Sequence, residues 1–142
     1  MRIGIVGLGL IGGSLAKGLQ YYTEHAVIGT DIDHVVLVKD KLWGAVGDDL
    51  LPEQLPSCDL VITALYPQDT LDYITQHAQS FKKGAIVMDC CGVKRVICET
   101  LWQCAKENGF IFYGAHPMAG LHFSGFAYSD VHMFSNASMI LL

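Results

Sequence analysis

The chain predicts an α/β fold, a doubly wound and mostly parallel sheet with helices on both faces. Three observations carry that prediction. Short apolar runs of strand length recur along all 142 residues. Segments whose apolar residues repeat with helical period lie between most of them. Apolar residues make up 51% of the chain and charged residues 16%, the balance expected of a sheet covered on both faces rather than one facing water.

In chain order, RIGIV (2–6) is the first expected strand. A helix follows, with Ile11, Leu15 and Leu19 on one face, and AVIGT (26–30) is the second strand. The segment 34–43 has Val35, Val38 and Leu42 as its best helical stripe. The stretch LLPEQLPSC (50–58), broken by Pro52 and Pro56, is expected to be a surface connection. DLVITAL (59–65) is the next strand, followed by a helix with Leu71, Ile74, Ala78 and Phe81 on one side. AIVMDC (85–90) is then followed by a helical stripe of Val93, Val96, Ile97, Leu101 and Cys104. FIFYGA (110–115) and SMILL (138–142) are the last strand-like runs. Alternation of strand and helix implies parallel strands joined by right-handed crossovers. Ligands of such sheets bind beyond the carboxyl ends of the strands, where strand order reverses. The apolar end of the chain points to a cut at a domain boundary.

The totals exclude several classes. A chain of 142 residues makes one domain of ordinary size. A formal charge of −5 argues against a nucleic-acid surface, which needs a basic patch. No apolar run is long enough to span a bilayer. Arg2 and the apolar residues after it superficially match a secretion signal. The density of glycine at Gly4, Gly7, Gly9, Gly12 and Gly13 opposes the helix such a signal forms. Five cysteines, an odd number with no CxxC, fit reduced thiols in a cytoplasm better than a disulfide framework or a metal site.

The first strand runs into Gly7-Leu8-Gly9-Leu10-Ile11-Gly12, a GxGxxG pattern that opens a helix. In this context the first glycine permits a tight turn, the second lets backbone approach a pyrophosphate, and the third lets helix pack on sheet. The pyrophosphate would rest on the helix N-terminus. Asp31 ends the second strand, 19 positions past Gly12. A carboxylate there accepts from the adenosine ribose hydroxyls and repels a 2′-phosphate, so NAD is expected over NADP. Asp33 competes as a helix N-cap.

Beyond the next strand, Ala64-Leu65-Tyr66-Pro67 lies on the rim where the nicotinamide half would pass. Leu65 and Tyr66 are candidates to flank it, though Tyr66 fits an exposed strand end equally well. After Asp89, the residues Cys90-Cys91-Gly92-Val93-Lys94-Arg95 lead into a helix, and either cation could hold a substrate carboxylate or simply be solvated. GAHPMAG (114–120) puts His116 at another strand end, with Pro117 restricting it to extended backbone. A histidine beside a nicotinamide can serve as general base to a substrate hydroxyl; a structural histidine is the alternative. His25, His34, His77, His122 and His132 have no such setting.

MRIGIVGLGLIGGSLAKGL, the acidic strand end at Asp31, DLVITALYP, GAIVMDCCGVKR, and GAHPMAG with Ser124-Gly125 beyond it together resemble the nucleotide-binding domain of the prephenate and arogenate dehydrogenase family. The resemblance spans nearly the whole chain and implies a Rossmann-type domain that binds NAD. The activity it implies is oxidative decarboxylation of prephenate to 4-hydroxyphenylpyruvate, on the route to tyrosine. By the same resemblance His116 accepts from the substrate hydroxyl, and Gly92, Lys94 and Ser124 stand on the substrate side. Two departures are notable. Gly92 occupies the position of a family serine beside the histidine, so that serine's hydrogen bond falls to a water or to Cys91, or else the ring is oriented differently. Leu121-His122 replaces the usual Thr-Glu. The family also carries a C-terminal helical domain that builds a homodimer and supplies arginines to the substrate, so these residues are expected to bind NAD but to turn over little substrate alone. Two alternatives remain. One is a hydroxyacid or phosphogluconate type of Rossmann dehydrogenase, which takes its catalytic lysine from a following domain. The other is a non-catalytic NAD-binding module.

Overall fold

The structure is a computed structural model describing all 142 residues. Five strand-like runs become parallel strands of one sheet: β1 (Arg2–Val6), β2 (Ala26–Thr30), β4 (Leu60–Thr63), β5 (Ile86–Asp89) and β6 (Ile111–Tyr113). A sixth, β3, is the two-residue Asp48–Asp49 pairing with β2. Its two aspartates carry no apolar signal, and it exists because the chain passes the open edge of β2. Strand order is β3-β2-β1-β4-β5-β6, all parallel, so the order reverses between β1 and β4.

Alternation along each strand sends side chains to two separate cores. Val6, Ile28, Val61 and Val87 point into the larger one. Helices α3 (Pro67–Gln76) and α4 (Arg95–Asn108) cover it with Ile74, Ile97 and Leu101. Ile3, Ile5, Val27 and Ile62 point into the other, covered by α1 (Leu10–Tyr22) and α2 (His34–Leu42). Fully burying one such aliphatic side chain contributes about 1.5–3 kcal/mol, so a sheet apolar on both faces requires both helix layers.

Several expected details differ. Val35, Val38 and Leu42 face solvent, whereas α2 turns Val36, Leu37 and Asp40 inward. The stripe misleads because Asp40 takes a core-facing position that an apolar count rejects. α3 stops at Gln76, and Ala78 and Phe81 reach the core from the 3₁₀ turn Ala78–Ser80 and the coil after it. Val93 and Val96 are exposed, and α4 buries Cys98 and Ala105 instead. The Pro52/Pro56 stretch is a 3₁₀ helix, Pro52–Ser57, that plugs the larger core with the fully buried Leu55.

The largest difference lies at the end. FIFYGA is not one strand: β6 stops at Tyr113, and after Gly114 the chain forms β7 (Ala115–Pro117), which leaves the parallel sheet. β7 pairs antiparallel with β8 (Met139–Leu141), so the last apolar run joins a separate two-stranded ribbon. Between them, residues 118–138 strap across α1. Phe126 is buried there, and Lys17 donates to the Ser129 carbonyl at 2.9 Å and to its hydroxyl at 2.7 Å. No helix is long and apolar enough to cross a membrane.

Candidate functional site

The glycine loop crosses the sheet where strand order reverses. Gly7 has φ +85°, and a Cβ on it would meet the Ala64 carbonyl oxygen and Leu65 Cδ2, each at 2.7 Å. A Cβ on Gly12 would overlap the Gly7 carbonyl oxygen. Gly9 is the opposite case, since nothing lies within 4 Å of where its Cβ would be. That open space faces the start of α1, which has no side-chain cap and no acidic residue in its first turn. Unpaired N–H groups of the first turn are left for an anion. Leu10 and Ile11 line the hollow beside them. Leu8 does not: its side chain is fully buried in the smaller core, and its N–H donates to Asp31 Oδ2 at 2.7 Å. Leu8 therefore supports the loop from beneath, with its side chain and its N–H both engaged by the protein. The pattern puts an apolar residue there because the loop needs an anchor in the core.

Asp31 and Asp33 divide the work the sequence left ambiguous. Asp33 caps α2 by accepting from the Val35 N–H at 2.8 Å. Asp31 accepts from Leu8 with one oxygen and from the Asp33 N–H with the other at 2.9 Å, so it is held at the loop rather than at the helix. Each oxygen keeps a further acceptor position. Two adjoining hollows of about 530 and 520 Å³ share Gly7, Asp31, Ile32, Leu65 and Asp69, a size that suits a small-molecule cofactor. Tyr66 lines one of them and is largely exposed. Phe123, Ser124 and Gly125 close the far wall, which brings Ser124 to the glycine loop. Ile32, Asp69 and Phe123 were not singled out in the sequence. Asp69, in the first turn of the helix that follows a strand end, carried a usable signal; Ile32 and Phe123 carried none.

Cys90 completes that wall. Burial first, and the neighbouring Asp89 and Cys91 second, push its thiol up to about 12. Burial also raises Cys91, whose sulfur lies 3.5 Å from both the Leu65 carbonyl and the Thr70 hydroxyl. Both are protonated at neutral pH and so are poor nucleophiles. The Cys91 thiol thus has partners other than His116 and does not stand in for the serine hydroxyl.

His116 is the central residue of β7, partly buried, opposite Ile140 of β8. Gly92 lies against its ring: a Cβ there would be 3.9 Å from both Cε1 and Nε2. The two residues that the sequence paired are neighbours, with open room where a serine hydroxyl would be. Lys94 is largely buried and bonded to Asp89, itself fully buried. The ammonium expected to await a substrate carboxylate is committed to one of the protein's own. Arg95, the first residue of α4, is exposed.

A parallel sheet of order 3-2-1-4-5-6 in sequence numbering, with a glycine-rich crossing at its reversal point and an acid at the end of the second strand, defines a Rossmann-type nucleotide-binding domain. The family model described as "Prephenate dehydrogenase, nucleotide-binding domain" matches residues 15–142, and the chain belongs to that family. It is 33% identical over 142 residues to the prephenate dehydrogenase of Lactococcus lactis subsp. cremoris (strain MG1363), covering 99% of this chain and 40% of that one. It is similar to the crystal structure of Synechocystis arogenate dehydrogenase, with TM-score 0.91 and 30% identity over 99% of this chain and 49% of that one. Prephenate dehydrogenase from Aquifex aeolicus, solved with hydroxyphenyl propionate and NAD+, shares the fold at TM-score 0.79 and 24% identity, covering 99% of this chain and 50% of that one. The chain therefore spans between 40% and 50% of the length of these relatives.

Proposed function

We propose that these residues form the NAD-binding domain of an enzyme that oxidatively decarboxylates prephenate to 4-hydroxyphenylpyruvate, in tyrosine biosynthesis, or performs the same step on arogenate. The observation that carries this reading is His116, held on a short strand beside Gly92, while two residues before Gly92 Cys90 lines the groove at the strand-order reversal. The residues present fit the cofactor. Gly9 leaves space for a pyrophosphate, the first turn of α1 offers free N–H groups, and Asp31 has acceptors for a ribose diol and negative charge against a 2′-phosphate. Leu65, Tyr66 and Ser124 line the remainder of the groove.

NAD, which Gly9, the first turn of α1 and Asp31 would hold, would supply the hydride acceptor for the ring carbon bearing the hydroxyl. The protein's part is proton management at that hydroxyl. A neutral His116 imidazole accepts the hydroxyl proton as the carbonyl forms, and loss of the ring carboxylate as carbon dioxide leaves an aromatic ring. Gly92 leaves the ring edge open, so the substrate hydroxyl competes with no side-chain hydroxyl for the accepting nitrogen. A homodimer assembled outside these residues and residence in the cytoplasm belong to the same proposal.

The test is His116→Asn in the complete product of the gene, with NADH formation followed on prephenate and on arogenate. Loss of a general base lowers kcat by about 10²–10⁴-fold, while NAD affinity stays near that of the parent. Near-normal kcat refutes the assignment of His116.

A further inference from the structure

At the carboxyl end of β5, one buried carboxylate ties together β7, the turn after β5 and the residue that leads into α4. Asp89 has no exposed surface and accepts three hydrogen bonds: Oδ1 from the Ala115 N–H at 3.1 Å, and Oδ2 from the Cys91 N–H at 2.9 Å and from Lys94 Nζ. The ribbon explains why the Ala115 N–H is available. Gly114 exchanges both backbone hydrogen bonds with Leu142, at 3.1 and 2.8 Å, and the Met118 N–H donates to the Ser138 carbonyl at 2.8 Å. Bonded and non-bonded pairs alternate in an antiparallel ladder, so Ala115, opposite Leu141, turns its N–H away from β8 and toward β5. The pairing of β6 with β5 ends at Tyr113 and Met88. Past that point, the Asp89 side chain replaces the backbone ladder.

We propose that Asp89 is a positioning residue for the reaction assigned above: its carboxylate locks the strand carrying His116 against the turn carrying Gly92, with Lys94 clamping the carboxylate from the third side. The inference rests on the reading of His116 as proton acceptor. Each donor fixes one direction at the carboxylate, and these three donors belong to β7, to the turn after β5 and to the residue that leads into α4. An asparagine would offer one acceptor oxygen and turn an NH₂ group toward a donor. A shift of His116 by about 1 Å is of the size that costs about 10²-fold in rate.

Asp89→Asn strands the Lys94 ammonium in a largely buried place and can impair folding. Asp89→Asn combined with Lys94→Met removes that cation and is the second variant. Two measurements are made on both: the His116 ring resonances of this chain by ¹H–¹³C NMR, and steady-state kinetics with NAD affinity on the complete gene product. The expected result is a His116 ring signal that moves or splits as the ring samples several rotamers, kcat lower by about 10²-fold, and NAD affinity unchanged. An unmoved ring signal, near-normal kcat in the double variant, or a parallel loss of NAD affinity overturns the proposal. His116→Asn is measured alongside. If it is inactive while the double variant stays active, Asp89 alone has been misread. If it is active, the assignment of His116 falls first.

Discussion

Asp40 makes the domain lose stability as pH rises toward neutrality. It lies on the inward face of α2 with no exposed surface, and neither carboxyl oxygen has a hydrogen-bond partner. Lys17 on α1 is the nearby cation, but it donates to Ser129 and lies 4.3 Å from the centroid of the Phe126 ring. Burial raises Asp40 from 3.8 to about 7; the charge of Lys17 opposes that rise and Asp31 adds to it. The folded state therefore holds a proton that the unfolded chain releases near pH 4. The resulting stabilisation is fully present below that pH and is lost as pH rises through about 7. A shift of this size sets a ceiling of about 4 kcal/mol. Buried groups without partners cost about 1–3 kcal/mol in practice, and that is the expected effect. Asp40→Asn removes the ionisation while keeping the shape, so it stabilises the domain by about 1–3 kcal/mol at pH 8 and by clearly less at pH 5, where only the first part of the loss has set in. Urea unfolding followed by circular dichroism at both pH values measures it. An equal effect of the substitution at pH 5 and pH 8 refutes the reasoning.

The site carries further expected outcomes. Calorimetry should find NAD bound more tightly than NADP, because Asp31 is held at the glycine loop by Leu8; equal affinities would mean that its charge does not meet the 2′ position. Gly12→Ala drives a methyl group onto the Gly7 carbonyl, and overpacking of that kind costs about 1–3 kcal/mol, so Tm and nucleotide affinity fall together. Gly9→Ala meets open space, so it weakens nucleotide binding with Tm unchanged; identical behaviour of the two variants counts against this account of the loop. Cys90 and Cys91 should react slowly with a thiol reagent at pH 7, since burial keeps both protonated, and rapid labelling of the folded domain would contradict it. Gly92→Ser puts a hydroxyl within reach of the His116 ring and should shift the pH profile of kcat, whereas an unaltered profile would show that the ring points elsewhere.

The sequence by itself determined the architecture and the geometry of the glycine loop and of the acid beside it. Both rest on local rules. Gly7 and Gly12 are set by turn geometry and close approach, and β1, β2, β4 and β5 are runs whose two apolar faces both find cover. Asp31 was legible because the acid follows its strand at a spacing that one helix and one crossover dictate. Tertiary structure decided the rest. That Leu8 feeds the core and gives its N–H to Asp31, that Asp40 rather than Val38 faces inward, and that Lys94 belongs to Asp89 are facts about partners distant in sequence or about which helix face is covered. The ribbon of β7 and β8 is the clearest case. FIFYGA and HPMAG read as one strand and its loop, yet Leu142 pairs with Gly114 across 28 positions and draws His116 out of the parallel sheet. Periodicity reports which residues want burial. It does not report which strand edge remains open to receive them, and that edge is what set His116 against Gly92.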